Sequence, residues 1–282
     1  MKKIILSLFI VLLFTINVFS QTDNYKCYPT NWWVGMKNPL LQLMLHGNAI
    51  AKADININYP GVKLVKVNRV ENENYLFVDL LITSAAKPGV MNIKVNKSDS
   101  PINIPFELNA RRKGNGNTFA QGVNNHDFIY LIMPDRFSNG DETNDRVAGM
   151  KDQSLNRDTV FNRHGGDLQG VQNHLDYLYK LGVTSIWLNP VIENDMPNRT
   201  EHGYAFTNHY KVDPRLGGDK AYKDLIDAAH AKGMKIIQDA VYNHVGLYHF
   251  TVQDMPMKDW LHQWPVYTNT TYKDQTLFDP YA

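Results

Sequence analysis

The sequence predicts a β-sandwich followed by a parallel α/β domain. Three observations carry this. Between Leu40 and Leu108, short apolar runs alternate with turns rich in Pro and Gly, the texture of an all-β sandwich. The stretch Arg111-Arg112-Lys113-Gly114-Asn115-Gly116-Asn117 is polar, Gly-rich and without pattern, as a linker between domains is. From Asp127 onward the order becomes strand, helix, strand, helix, strand, which calls for parallel pairing. A length of 282 residues suits two domains at about 150 residues each.

Taken in order, residues 1–20 form a leader rather than part of the fold. Lys2 and Lys3 precede the apolar run Ile4–Phe19, broken only by Ser7, Thr15 and Asn17. Val18 and Ser20 sit three and one residues before a cut ahead of Gln21. This is the pattern of a secretory signal peptide, and the run is short of the roughly 20 residues of a membrane span. The sandwich occupies 21–110, with strands at Leu40–His46, Val62–Val67, Tyr75–Ile82, Val90–Val95 and Ile102–Leu108. Tyr59-Pro60-Gly61, Lys87-Pro88-Gly89 and Ser100-Pro101 separate them. Residues 111–126 link it to the α/β region, 127–282.

In that second region Asp127–Met133 reads as a buried strand stopped by Pro134. Leu168, Val171, Leu175, Leu178 and Leu181 recur at three- and four-residue steps, one face of a helix, and Gly182 ends it. Val183–Leu188 is the second strand, stopped by Asn189-Pro190. Asp219 is a fitting N-cap for a helix carrying Tyr222, Leu225, Ile226 and Ala229, with Gly233 at its C′ position. Met234–Asp239 is the third strand. Two architectures accommodate this order, a doubly wound sheet and a (β/α)8 barrel. No G-x-G-x-x-G follows the first strand, which weakens a dinucleotide-binding reading. The polar loops 134–166, 189–218 and 242 onward all follow strand C-termini, where both folds place their sites.

Composition narrows the function classes. Lys plus Arg number 29 and Asp plus Glu 28, so there is no basic excess for nucleic acid and no acidic tail. Removing the leader takes away two lysines and leaves a net charge near −1. An apolar share of 43% with 20% charged residues excludes a mainly disordered chain. Cys27 is the single cysteine, so an internal disulfide, a cysteine zinc cluster and a CxxC redox pair are all excluded. It follows no lipoprotein-type motif, so no lipid anchor and no membrane association are expected after leader removal. An exported protein without disulfides fits a bacterial periplasm.

Three clusters could carry chemistry. Asn139, Asp141, Asn144 and Asp145 surround Gly140. Hard cations take six to eight oxygen ligands, and a surface turn uses the same residues. Gly165 and Asp167, opening the next helix, add a carbonyl and a carboxylate. His202-Gly203-Tyr204 lies in the loop after the second strand. There a Tyr face can stack on a sugar and a His can bond hydroxyls, or both can pack. Asp239, at the end of the third strand, is followed by Asn243 and His244; a carboxylate there needs a partner or a functional reason. Trp187, by its strand position, is expected to fill a barrel. Trp32-Trp33 suits either a sugar-binding pair or packing at a domain edge.

Together the strings Met133-Pro134-Asp135-Arg136-Phe137-Ser138-Asn139-Gly140-Asp141, His164-Gly165-Gly166-Asp167-Leu168, His202-Gly203-Tyr204, Val212-Asp213-Pro214-Arg215-Leu216-Gly217 and Asp239-Ala240-Val241-Tyr242-Asn243-His244 resemble the α-amylase family of glycoside hydrolases. The nearest resemblance is to its cyclomaltodextrinase, neopullulanase and maltogenic amylase branch, in the form found in periplasmic starch-utilisation systems. The resemblance implies an immunoglobulin-like β-sandwich followed by the first part of a (β/α)8 TIM barrel, with about three of eight strands present. It implies retaining hydrolysis of α-glucosidic bonds in maltodextrins, cyclodextrins or pullulan. Tyr204 would stack on the sugar at the cleavage subsite, His244 would contact its hydroxyls with His202 alongside, and Asn243 would line the site. Asp239 would be a supporting carboxylate and not the nucleophile. Asn139, Asp141, Asn144, Asp145, the Gly165 carbonyl and Asp167 would form a calcium site. The implied partners are α-glucan oligosaccharides, with a homodimer through the N-terminal domain as a feature of the branch.

The sequence also departs from the family pattern. Retaining glycosidases need two carboxyls about 5–5.5 Å apart, which the family draws from strands four and five. Arg215 is the last arginine, Glu201 the last glutamate, and no G-x-R-x-D string follows His244. Residues 127–282 number 156, against about 250 for a complete barrel. The sequence therefore reads as the N-terminal part of a longer enzyme, lacking the catalytic Asp and Glu. By itself it is expected to fold poorly and to be inactive. A sugar-binding protein without catalysis, or a transglycosylase of the same family, are the alternatives.

Overall fold

The computed structural model describes residues 25–97, 101–114, 122–263 and 265–266; the expected leader lies outside them. The first half is a sandwich of two four-stranded sheets. One has the order β1 (Lys26–Tyr28), β3 (Leu40–His46), β6 (Tyr75–Ile82), β5 (Val62–Arg69), all antiparallel. The other runs β2 (Asn31–Trp33), β8 (Pro101–Asn109), β7 (Gly89–Asn96), β4 (Asp54–Ile57), with β2 parallel to β8 and the rest antiparallel.

Burial alternates along β3, β7 and β8, because successive side chains in a strand point to opposite faces. The inward set, with Leu43, Leu45, Val78, Leu80, Met91, Ile93 and Phe106, forms one apolar core between the sheets. The five strands expected from sequence are present, within one or two residues at their ends. β1, β2 and β4 are additions. They are three or four residues long, too short to show periodicity, and tertiary pairing defines them. Trp32 packs against the sandwich core while Trp33 is exposed beside it.

The second half holds a parallel three-stranded sheet, β9 (Ile129–Ile132), β10 (Ser185–Leu188) and β11 (Lys235–Gln238), with β10 in the middle. Its helices are α1 (Pro134–Phe137), α2 (Leu168–Asn173), α3 (Leu175–Leu181), α4 (Gly218–Ala231) and α5 (Phe250–Gln253). Leu168, Val171, Leu178, Ile186, Leu188 and Leu225 pack in one core. Ile129, Leu131 and Trp187 are exposed, whereas parallel sheets are ordinarily covered on both faces.

Three details differ from the sequence reading. The single helix expected over 168–181 is broken at His174, whose backbone leaves helical values and whose Nδ1 bonds the Gly170 carbonyl at 2.8 Å. Gly170 lies so close to the Ser138 carbonyl that a Cβ there would fall 1.9 Å from it, which fixes α2 against the loop after α1. Asp219 does not cap α4. Gly217, at φ 100°, precedes the helix, and the Asp219 carboxylate instead accepts from the Val212 amide at 2.8 Å. The third strand stops at Gln238, so Asp239 lies just beyond its C-terminal end.

The two halves meet at Asp254. Its carboxylate accepts from Asn72 and Asn74, at 2.5 and 3.0 Å, and pairs with His46 Nε2 at 2.9 Å. Tyr75 Oη donates to its carbonyl at 2.5 Å. Phe250 of α5 stacks on Tyr28, ring centroids 4.9 Å apart. No helix among the described residues is long and apolar enough to cross a membrane.

Candidate active site

Asp239 sits at the C-terminal end of the parallel sheet, and its Oδ2 accepts two hydrogen bonds. Tyr204 Oη donates at 2.8 Å and Trp187 Nε1 at 3.3 Å. Burial, followed by the Asp239 carboxylate, pushes the Tyr204 phenol up to about 12, so this hydroxyl is a donor at neutral pH. His244 Nε2 bonds the Tyr204 carbonyl at 2.9 Å. A carbonyl only accepts, so this nitrogen carries the proton. The Tyr204 amide donates to His202 Nδ1 at 2.9 Å, and the two rings lie 5.9 Å apart at 26°. Burial holds His202 below its ordinary pKa, against an opposing effect of Glu201.

Local sequence explains the turn that presents Tyr204. Gly203 has φ 80°, and a Cβ there would lie 2.1 Å from the Pro190 carbonyl. Asn189 donates to the His202 carbonyl at 3.3 Å, so the Asn189-Pro190 strand stop also supports the turn. The fold thus gathers Asp239, Tyr204, His202 and His244. Asn243 makes no hydrogen bond to these residues but lines, together with His244, a 660 Å³ cavity shared with Tyr28, Tyr210, His249, Phe250 and Trp260. Trp187, expected to be barrel filling, is 39% exposed and belongs to the site through its indole donor.

Beneath the Tyr204 turn lies a buried ionic layer that the sequence reading did not resolve, although its strings contain most of it. Arg215 reaches Asp213 through Nε at 3.0 Å and Nη2 at 2.8 Å, and caps the carbonyls of Asp152 and Asn194. Burial pushes the Asp213 carboxyl up, but the bonds and charge of Arg215 outweigh it and leave the net shift downward. Thr200 donates to Asp152 at 2.8 Å. Arg163 lies 3.6 Å from Asp135, which also pairs with Arg136 at 2.8 Å. Charged types inside motifs were the available signal for Asp135, Arg136, Asp213 and Arg215; that Asp152 and Arg163, outside those motifs, meet at Thr200, two residues before His202, needed the fold.

Hydrogen bonds organise the loop residues expected to bind calcium. Asn139 Nδ2 donates to Asp145 at 2.7 Å, and the Gly165 α-carbon faces both side chains. Asp141 accepts from the Thr143 amide and hydroxyl, at 3.0 and 2.6 Å. Asp167 accepts four bonds, from the Gly140, Asp141 and Gly170 amides and from Asn144 Nδ2, at 2.6–3.0 Å. Its role in the structure is to cap α2 and tie the loop. Asn144 Oδ1 is buried with no hydrogen-bond partner. Burial first, with the charges of Glu142 and Asp167, holds Asp145 above the usual carboxylate range despite the Asn139 bond. Among the described residues no three His, Cys, Asp or Glu side chains group to hold a metal, so amide and carbonyl oxygens would have to complete any site.

The fold and these motifs define a member of the α-amylase family. The family model described as "Alpha amylase, catalytic domain" matches residues 131–277, and the one described as "Cyclomaltodextrinase, N-terminal" matches 26–112. The chain therefore belongs to this family, and its architecture is a β-sandwich followed by the first part of a (β/α)8 barrel. It is similar to a cyclomaltodextrinase of Thermoanaerobacter pseudethanolicus, 35% identical over 154 residues that cover 50% of this chain and 25% of the relative. A periplasmic alpha-amylase of Escherichia coli is 35% identical, covering 45% of this chain and 20% of the relative. Neopullulanase 2 of Thermoactinomyces vulgaris is 38% identical, covering 46% and 22%. The match thus spans between a fifth and a quarter of the length of these relatives.

Proposed function

We propose that this chain forms the N-terminal part of an exported hydrolase of α-glucosidic bonds in maltodextrins, cyclodextrins or pullulan. The observation that carries it is the Tyr204–Asp239 pair at 2.8 Å, with His244 bonded to the Tyr204 backbone at 2.9 Å, at the C-terminal strand end where barrel enzymes hold their chemistry. The Tyr204 ring is the sugar platform. His244 and His202 supply hydrogen bonds to hydroxyls, and Asn243 extends the wall. Asp239, engaged by two donors, orders the platform. The nucleophile and the acid of a retaining pair come from strands beyond β11; no glutamate follows Glu201 in this chain. Export to the periplasm rests on the leader pattern of 1–20 and on the periplasmic relative. Homodimerisation through the sandwich is part of the same reading.

We also propose a calcium ion at the 139–167 cluster, with amide and carbonyl oxygens completing its ligands. The buried, unpartnered Asn144 oxygen is the supporting observation, and a hard cation suits oxygen donors. Asn144, Asp145, Asn139, Asp141 and the Gly165 carbonyl would hold it, with Asp167 fixing the loop. Bound there, it would tie that loop to the start of α2. Chelation should lower the melting temperature of the wild type, and Asn144→Leu should abolish that sensitivity. An equal response of both proteins to chelator would remove the assignment.

The deciding experiment is product analysis of the intact protein with maltoheptaose and cyclodextrin. Release of shorter maltooligosaccharides with retained α-configuration supports hydrolysis. Tyr204→Ala should lower kcat/KM roughly thirtyfold, since truncating an aromatic anchor costs about 2 kcal/mol. Binding without cleavage would instead establish a sugar-binding protein, and longer products a transglycosylase.

A further inference from the structure

A small cavity of about 10 Å³ lies under the Tyr204 turn, with Asp135, Arg163, Asn194, Thr200, Glu201 and Gly203 in its wall. Three of these residues carry buried polar atoms with no hydrogen-bond partner: Arg163 Nε and Nη2, Asn194 Oδ1, and Glu201 Oε2. Arg163 and Asn194 are 2% and 1% exposed. The Asn194 amide orientation is set by its own bond, since Nδ2 donates to the Thr200 carbonyl at 3.5 Å, leaving Oδ1 as the orphan. Leaving such groups unpaired carries their full desolvation cost, so a native fold is expected to satisfy them.

The donor and acceptor set identifies the occupant. An anion would face two acceptor oxygens, and a cation would face a guanidinium. A water both accepts and donates. It can take an N–H from Arg163 and give its hydrogens to Asn194 Oδ1 and Glu201 Oε2. Three bonds are the usual complement of a buried water, and the cavity is about the size of one.

We propose that a single buried water, held by Arg163, Asn194 and Glu201, is a built-in component of this fold, and that through it Glu201 is a positioning residue for Tyr204. The water joins the loop before α2 to two points of the loop after β10, Asn194 and the root of the Tyr204 turn. Glu201 immediately precedes His202, and Thr200 is already fixed by Asp152 at 2.8 Å. The cross-link therefore sits at the root of the turn that aims Tyr204 at Asp239. The positioning role rests on the glucan-binding reading above; the water does not.

A high-resolution crystal structure of the intact protein tests the water directly. The expected result is one density peak within hydrogen-bonding distance of all three side chains. An empty cavity, or side chains that pair with each other instead, overturns the proposal without any variant. Maltoheptaose titration tests the positioning. Glu201→Leu should weaken binding about tenfold, while Glu201→Gln, which keeps an acceptor oxygen, should stay within about threefold of wild type. Equal binding by Glu201→Leu and wild type overturns the positioning role. A wild type that shows the water but does not bind maltoheptaose upholds the water and overturns the glucan reading.

Discussion

The two halves of this chain bury their interiors by different means. The sandwich closes on itself: two sheets share one core made almost wholly of aliphatic side chains and Phe106. The α/β half has an apolar core on the helix side of its sheet. Toward the C-terminal strand ends, however, it is built on Arg215, Asp213, Asp152 and Arg163, each at most 3% exposed. Apolar burial is non-directional and tolerates imprecision. Buried ions demand defined partners, because an uncompensated charge is far more costly than a misplaced methyl. The sandwich is thus a support that packing alone can specify, and the α/β half is a frame that holds loops in particular positions.

Substitutions can break this contrast, the largest effects being expected in the ionic layer. Arg215→Met leaves Asp213 buried without its bidentate partner and should cost about 3–5 kcal/mol in denaturant unfolding. Leu43→Ala in the sandwich should cost about 2–5 kcal/mol, through a cavity alone. Unlike Arg215→Met, it should leave maltoheptaose affinity unchanged in the folded fraction. Equal effects of the two on affinity would erase the distinction between support and frame.

His249 sharpens the comparison through pH. Burial, then the nearby His209, lowers its pKa to about 4, against roughly 6.5 in an unfolded chain. The unfolded state therefore binds the extra proton first as pH falls. The contribution of this residue, up to about 3 kcal/mol, is complete above pH 6.5 and is lost between that pH and 4. Urea midpoints measured at pH 7 and pH 4.5 should differ accordingly, and His249→Gln should reduce the difference.

Gly203→Ala should cost about 1–3 kcal/mol, since the residue has φ 80° and its new methyl would meet the Pro190 carbonyl. A displaced Tyr204 in its crystal structure is the accompanying expectation. At the small end, Lys220→Ala removes an exposed i,i+4 pair with Asp224 and should change stability by about 0.3–0.5 kcal/mol. A larger loss would show that helix α4 relies on surface charge more than on its buried Leu225 and Ala229.

What was legible in the sequence follows physical range. The long strands of the sandwich were readable because period-2 burial runs over seven to nine residues, and β10 and β11 because Pro and Gly bound their apolar runs. Tyr204, His202, Asp239 and His244 were legible as motif residues. Three things were decided only by the tertiary structure. The strands β1, β2 and β4 exist through pairing partners distant in sequence. Asp219 gave up its capping role once Gly217 turned the chain and the Val212 amide came within reach. Arg163, Asn194 and Glu201 were brought around one cavity from two loops, 134–166 and 189–218. Local sequence sets backbone preference and the periodicity of burial. Which polar atoms meet in the interior, and what must satisfy them, depends on contacts between residues that no local pattern relates.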